Sequence, residues 1–152
     1  IFDACRISCD VNKVFKGDWV NRINLNNEVP SAQGAMTNTI FRNHLDGRAF
    51  CNDPDVLFLR KENLTFTDEQ KYLLGKINAV CGNVLFVSDN AGDFDDERIG
   101  YLKDFFKDKD YKVNFAEFVG KDDIRLDFTE DGVAKTLTLN LDTGKSNVRE
   151  VI

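Results

Sequence analysis

The sequence predicts an α/β fold that is followed, from residue 108 onwards, by a small antiparallel β domain. Before residue 108, short apolar segments alternate with segments of helical periodicity, in the order strand, helix, strand, helix, strand, helix. This alternation is typical of right-handed βαβ units that build a parallel sheet. After residue 108, apolar and polar residues alternate within short segments, and turn residues separate these segments, which is typical of an antiparallel meander.

The first part of the chain contains three predicted strands, at residues 2–8, 48–51 and 84–87. The first mixes apolar residues with Cys5 and Arg6, and we expect it to be buried and to deliver polar groups at its carboxyl end. The third is a continuous apolar run, as expected for a parallel strand that is covered on both faces. Residues 11–29 are rich in asparagine and are expected to form a long loop.

Capping patterns predict where the helices begin. Pro30 and Ser31 open the first predicted helix, which extends to Leu45 with a face of small residues. Thr67 and Gln70 have the spacing of a capping box, so a second helix begins there, and Gly82 ends it.

A third helix begins at the acidic residues 95–97, because negative charge in a first turn complements the helix dipole. Four alternating segments follow it and are predicted strands of the meander, at residues 112–119, 124–128, 133–141 and 147–152.

The composition excludes several classes of partner. The chain has 152 residues and a formal net charge of -6, which argues against nucleic acid or an anionic membrane surface as a partner. No apolar run approaches the roughly 20 residues that span a bilayer, and no signal-peptide pattern is present. Because the sequence begins at Ile1 and ends on the apolar pair Val151 and Ile152, we expect it to be a piece of a longer protein.

The cysteines do not predict a metal site. Cys5, Cys9, Cys51 and Cys81 form no C-x-x-C pair, and with His44 as the single histidine they match no zinc spacing. We therefore expect buried free thiols, no metal and no cofactor.

Polar residues follow each predicted strand of the first part: Asp10 after the first, Asn52, Asp53 and Asp55 after the second, Ser88 and Asp89 after the third. Loops converge at the carboxyl ends of parallel strands, so these side chains are expected to lie together. Converging carboxylates without a metal signature indicate proton chemistry on an uncharged polar ligand such as a sugar. The alternative is that these residues only cap turns and helices.

Trp19 lies in the predicted long loop. Its ring could stack on the apolar face of a sugar, or it could fill part of the core. His44, at the end of the first predicted helix, is expected to have an ordinary structural role.

Two short motifs resemble a known family. They are R-x-x-x-D, formed by Arg6 and Asp10, and N-D-P-D at residues 52–55. With their surrounding segments and residues 83–90, they resemble the last barrel strands of the α-galactosidases of glycoside hydrolase family 36, the melibiases. The resemblance implies that residues 1–107 form the C-terminal part of a (β/α)8 TIM barrel, the catalytic barrel of that family, and that residues 108–152 form the antiparallel β domain that follows it.

The resemblance also implies a chemistry. Family members hydrolyse terminal α-galactosyl bonds with retention, which needs two carboxyl groups about 5 Å apart. By resemblance, Asp10 is the general acid/base, and Arg6 binds sugar hydroxyls and restrains the charge state of Asp10. Asp53 and Asp55 would orient Arg6 and shape the sugar pocket. Apart from the resemblance, the ring of Trp19 makes it a further candidate substrate contact. No cofactor or metal is implied.

The nucleophile of the family lies in a Lys-aromatic-Asp motif on an earlier strand, and no such motif precedes Asp10 here. Residues 109–111 contain the same residue types in the wrong order. The chain is therefore expected to carry the acid/base without the nucleophile and to be inactive alone. Its expected partners are an α-galactoside and the rest of the barrel, or another chain that covers the open sheet edges.

Two other interpretations stay open. In one, the chain is a noncatalytic α/β module that binds a sugar or a partner. In the other, it is a complete small α/β protein.

Overall fold

The computed structural model describes residues 3–17 and 30–151. Within this part there are three α-helices, α1 (Ala32–Phe41), α2 (Asp68–Cys81) and α3 (Asp96–Phe105). The short strands are β1 (Ala4–Arg6), β2 (Cys51–Asp53), β3 (Val56–Leu57) and β4 (Phe86–Val87). The longer strands are β5 (Tyr111–Phe118), β6 (Asp123–Glu130), β7 (Val133–Asn140) and β8 (Ser146–Glu150).

The prediction that residues 1–107 belong to a (β/α)8 barrel is wrong. In the described residues, β1 pairs with β2 and β3 pairs with β4, in two separate parallel pairs of three and two residues. A barrel needs a closed, continuous ladder with matched tilt and stagger, and these short pairs do not supply one. The described chain is a small mixed α/β domain in which the largest sheet is antiparallel.

The break between β2 and β3 explains why no single parallel sheet forms. Pro54 has no N–H to donate to a ladder, and Asp55 adopts a left-handed backbone with φ of 76°. The extended segment is therefore interrupted after three residues, so that one half pairs with β1 and the other with β4.

Strands β1 and β4 are more exposed than predicted. All three residues of β1 are exposed, and Phe86 in β4 keeps 50% of its surface accessible. In the described part of the chain no further strand pairs with either of them. The predictions that the first strand is buried and that the third is covered on both faces are therefore wrong, since apolar sequence alone does not reveal what covers a strand.

The predicted helix starts are confirmed. Ser31 caps α1 by accepting a hydrogen bond from the N–H of Gly34, and Thr67 and Gln70 form the reciprocal capping box of α2. Asp95 caps α3. The first helix is shorter than predicted, because it ends at Phe41 and a 3-10 turn, Asn43–Leu45, follows. None of the described helices combines the length and the apolar character needed to cross a membrane.

The meander is confirmed, with strand ends within two residues of the predicted ones. Strands β5 to β8 pair antiparallel in sequence order. Asp131 and Gly132 both have positive φ, of 53° and 81°, as a two-residue hairpin turn between β6 and β7 requires. The predicted boundary at residue 108 falls between α3 and β5, and the division into two domains stays a prediction.

One hydrophobic cluster includes residues from the helices and from the inner face of the large sheet. Its fully buried members include Met36 on α1, Leu74 on α2 and Phe128 on β6. Arg98 on α3 is 5% exposed and connects three elements by hydrogen bonds to Leu59 O (2.7 Å), Asp95 (2.7 Å) and Asp68 (3.0 Å).

A second buried charge lies beside the large sheet. Glu130 at the end of β6 pairs with Lys109 and Lys135, each at 2.6 Å. Burial alone would raise the pKa of Glu130, but the hydrogen bonds from the two lysines outweigh it and lower the pKa to about 2.

We expect Gly75→Ala to destabilise the fold. A Cβ at Gly75 would lie 2.3 Å from the buried ring of Phe105, and overpacking of this kind costs about 1–3 kcal/mol. Urea unfolding measures the effect. The matched control is Gly100→Ala on α3, where nothing lies within 4 Å and helix propensity should give a gain of about 0.5–1 kcal/mol. Equal effects of the two variants would contradict the packing of α2 on α3.

Glu130→Gln should change how stability depends on pH. Because folding lowers the pKa of Glu130 from 4.5 to about 2, its ion pairs stabilise the fold above pH 4.5 and lose this contribution as pH falls towards 2. The variant should be less stable at pH 7 by about 1–3 kcal/mol and should have a shallower decline in acid. Urea titrations at several pH values measure both effects, and parallel pH curves would contradict the pairing.

Candidate functional site

The segment after β1 is fastened to the turn between β2 and β3. Their hydrogen bonds run from Ile7 N to Asp53 O (2.9 Å), from Ser8 Oγ to Pro54 O (2.8 Å) and from Val11 N to Asp55 Oδ2 (2.7 Å). These bonds bring the residues that follow two paired strands to one edge, as the sequence predicts.

Arg6 lies at the centre of this edge and contacts three carboxylates. Its guanidinium is 3.0 Å from Asp10 Oδ1, 3.5 Å from Asp53 Oδ2 and 3.0 Å from Asp55 Oδ1. We refer to Arg6, Asp10, Asp53 and Asp55 as the Arg6 cluster. The structure thus brings together four of the five predicted site residues, while the fifth, Trp19, lies outside the described residues.

The members of the Arg6 cluster differ sharply in exposure. The side chain of Asp10 is 80% exposed, whereas those of Asp53 and Asp55 are 18% and 8% exposed. The guanidinium side chain of Arg6 is 43% exposed. Asp10 is therefore the carboxylate that a ligand in solution can reach, and Arg6 can share its remaining N–H donors with that ligand.

Asp55 is buried and holds Arg6 and the neighbouring backbone in position. Its Oδ1 pairs with Arg6, its Oδ2 accepts the Val11 N–H, and its own N–H donates to Asp53 Oδ1 at 2.8 Å. It does this with a left-handed backbone, which aspartate tolerates better than most residues because its short side chain bonds locally. A strained backbone of this kind persists only where the surroundings fix it.

The Arg6 cluster has one cation for three carboxylates. In residues 3–17 and 30–151, no group of histidine, cysteine, aspartate or glutamate side chains is arranged to hold a metal ion. What the cluster offers is guanidinium donors beside an accessible carboxylate, which can give or take a proton.

The third predicted strand end serves a different purpose. The side chain of Asp89 is 1% exposed, accepts N–H bonds from Leu59 and Arg60, and pairs with the Arg60 guanidinium at 2.8 Å. Asp89 therefore joins the ends of β3 and β4 and is not bonded to the Arg6 cluster. The geometry of Asp89 therefore fits the alternative stated above, in which these polar residues only cap turns and helices.

Asn52 also has a structural role. It is completely buried, and its side chain donates to the carbonyl groups of Arg42 and Asn43 at the end of α1.

The cysteines depart from the prediction of buried thiols, since Cys5 is exposed and Cys81 alone is fully buried. Burial raises the pKa of the Cys81 thiol, which makes it unreactive.

Sequence reasoning missed two residues that position the cluster. The Ser8 hydroxyl bonds to Pro54 O, and the Arg42 guanidinium donates to Ile7 O at 2.6 Å. The sequence around Arg42 gives no indication of this role, because its partner is a backbone carbonyl distant in sequence.

Stability measurements should separate the two kinds of carboxylate in the cluster. Asp55→Ala removes both acceptors and leaves alanine with φ of 76°, so a loss of about 2–4 kcal/mol is expected. Asp55→Asn, which tolerates this backbone, should lose less. Asp10→Ala, at an exposed position, should change stability by no more than about 0.5 kcal/mol. Urea unfolding of the three variants measures this order, and a large loss for Asp10→Ala would contradict it.

Compared with models of known protein families, the sequence matches none of them. The likeness of the Arg6 cluster to the melibiases therefore rests on the residues at positions 6, 10 and 52–55, and the function implied by it is a proposal.

Proposed function

We propose that the chain supplies the acid/base side of a retaining α-galactosidase site. The observation that supports this best is the Arg6 cluster, in which one guanidinium holds an exposed carboxylate beside two recessed ones. A neutral sugar needs donors and acceptors for its hydroxyl groups and one carboxyl group that can transfer a proton. Arg6 and Asp10 supply both.

Each residue has a separate role in this proposal. Asp10, when protonated, donates its proton to the glycosidic oxygen as the bond from that oxygen to the anomeric carbon breaks, and later takes a proton from the attacking water. Arg6 donates hydrogen bonds to sugar hydroxyls and holds the Asp10 carboxylate in position. Asp53 and Asp55 position Arg6.

The nucleophile must come from elsewhere. Asp53 and Asp55 are both paired with Arg6, and Asp55 also accepts a backbone N–H, so neither is free to attack an anomeric carbon. We propose that the second carboxylate lies outside the described residues, either in a further segment of a longer protein or in a partner chain. The chain alone is then a poor hydrolase.

A second candidate function is galactoside binding without hydrolysis. The same distribution of exposure favours it, because Asp10 is the one accessible carboxylate of the cluster. Binding alone needs Arg6 and the carboxylate acceptors but no proton transfer. The two functions therefore differ in whether Asp10 acts as an acid.

Azide can test the acid role without the missing nucleophile. With phenyl α-galactoside, azide attacks the anomeric carbon from the opposite face and forms the C–N bond. The C–O bond breaks as the C–N bond forms, and Asp10 transfers its proton to the leaving phenolic oxygen. The products are β-galactosyl azide and phenol. Asp10→Ala should lower this rate by about 10²–10⁴-fold, as measured by product formation.

The leaving group provides the internal control. Nitrophenolate needs little protonation, so Asp10→Ala should affect the nitrophenyl α-galactoside much less than the phenyl compound. Asp108→Ala, at an exposed aspartate outside the Arg6 cluster, should leave both rates unchanged. Galactose binding without azide product would favour the binding module, and equal losses on the two substrates would reject Asp10 as the acid.

A further inference from the structure

A second concave surface lies away from the Arg6 cluster, between the first halves of α2 and α3 and the turn that joins β7 to β8. We refer to it as the tyrosine groove. Its volume is about 830 Å³, within the range of small-molecule sites. Its walls include Tyr72, Tyr101, Glu69, Glu97, Lys145 and Ser146.

Two tyrosine rings form one wall and are held in place. The rings of Tyr72 and Tyr101 meet edge to face, with centroids 5.1 Å apart. The Tyr101 hydroxyl donates to Glu97 at 2.8 Å and the Tyr72 hydroxyl donates to Asp104 at 3.1 Å. Both rings are half-buried, so the groove has a fixed and partly accessible aromatic surface.

The opposite wall is fixed by a close backbone approach. Gly144, with φ of 76°, packs against Gln70 in the first turn of α2, and a Cβ at this position would lie 2.3 Å from Gln70 Cγ. This contact holds the turn beside the helix. Lys145 and Ser146, which follow directly, also line the groove, and their side chains carry hydrogen-bond donors.

The groove is lined by three carboxylates and one ammonium group, and part of this negative charge is paired outside the groove. Asp68, at its edge, is already paired with Lys71 (2.9 Å) and Arg98 (3.0 Å). Glu69 and Glu97 lie in the first turns of α2 and α3, where the positive ends of the helix dipoles offset their charge. With Lys145 also in the lining, the groove offers hydrogen-bond donors and acceptors and, apart from the paired Asp68, an excess of one carboxylate over its cations.

We infer that the tyrosine groove is a second carbohydrate site, which takes a neutral saccharide without catalysing any reaction on it. An apolar face of the sugar ring lies on Tyr101, as aromatic surfaces favour. Its hydroxyl groups donate to Glu69 and Glu97 and accept from Lys145 and Ser146. This site does not depend on the Arg6 cluster and goes beyond the proposed hydrolase function.

An amide-resolved NMR titration of the chain with raffinose tests the inference. We expect shift changes that saturate at residues 69, 97, 101 and 145–146. Tyr101→Ala should weaken this affinity about tenfold, whereas Tyr101→Phe, which keeps the ring, should weaken it less. The matched control is Phe106→Ala, which removes an aromatic residue that is 52% exposed and lies outside the groove; its affinity should equal that of the unmodified chain.

The outcomes separate this site from the Arg6 cluster. If both sites bind sugar, Arg6→Ala should abolish shift changes at residues 6–10 and leave those at the groove unchanged. Failure of the hydrolase proposal would not alter the groove titration. Absence of groove shifts up to the solubility of raffinose would overturn the inference, as would an equal loss of affinity in Phe106→Ala. Tighter binding of argininamide than of raffinose would also overturn it, because the groove would then recognise a cation.

Discussion

The turn at Pro54 and Asp55 is the constraint on which the first part of the molecule depends. It ends β2 and begins β3, because Pro54 lacks a donor and Asp55 has a left-handed backbone. The same Asp55 carboxylate reaches Arg6 on β1 and the backbone of Val11. One short turn therefore interrupts the ladder and fastens the segment that carries Asp10, so the local geometry of the fold and of the candidate site have one cause.

Buried charges join the remaining parts. Arg98 connects α3 to the start of α2 and to the segment after β3, and all three of its bonds have nearly ideal lengths. Glu130 at the end of β6 pairs with Lys109, which precedes β5, and with Lys135 on β7. A buried ion pair of this kind adds little stability over a well-packed apolar contact, but loss of one partner leaves an uncompensated charge. Removing one partner therefore costs more than the net contribution of the intact pair.

Local features of the fold could be predicted from the sequence, and long-range ones could not. The Thr67 and Gln70 capping box and the Asp131–Gly132 turn act within a few residues, so their patterns predicted a helix start and a hairpin correctly. The barrel assignment failed because strand alternation does not determine how many strands pair or what covers them. The exposure of β1 and of Phe86, which a barrel would have covered, shows this directly. In the candidate site, the spacing of Arg6 and Asp10 and the N-D-P-D turn identified the four residues that meet. The contribution of Arg42 lay in a backbone contact 35 residues away in sequence.

Gln70 joins two structural elements that are separated in sequence by nearly half of the chain. Its side chain completes the capping box that begins α2, and its Cα, Cβ and Cγ atoms pack against Gly144 in the turn between β7 and β8. Fraying of the first helical turn would release Gln70 and loosen that turn, and opening of the turn would expose Gln70 to water. The two elements should therefore open and close as one cooperative unit, although no backbone ladder connects them. Local unfolding in this protein would then follow side-chain packing more closely than the order of its secondary structure.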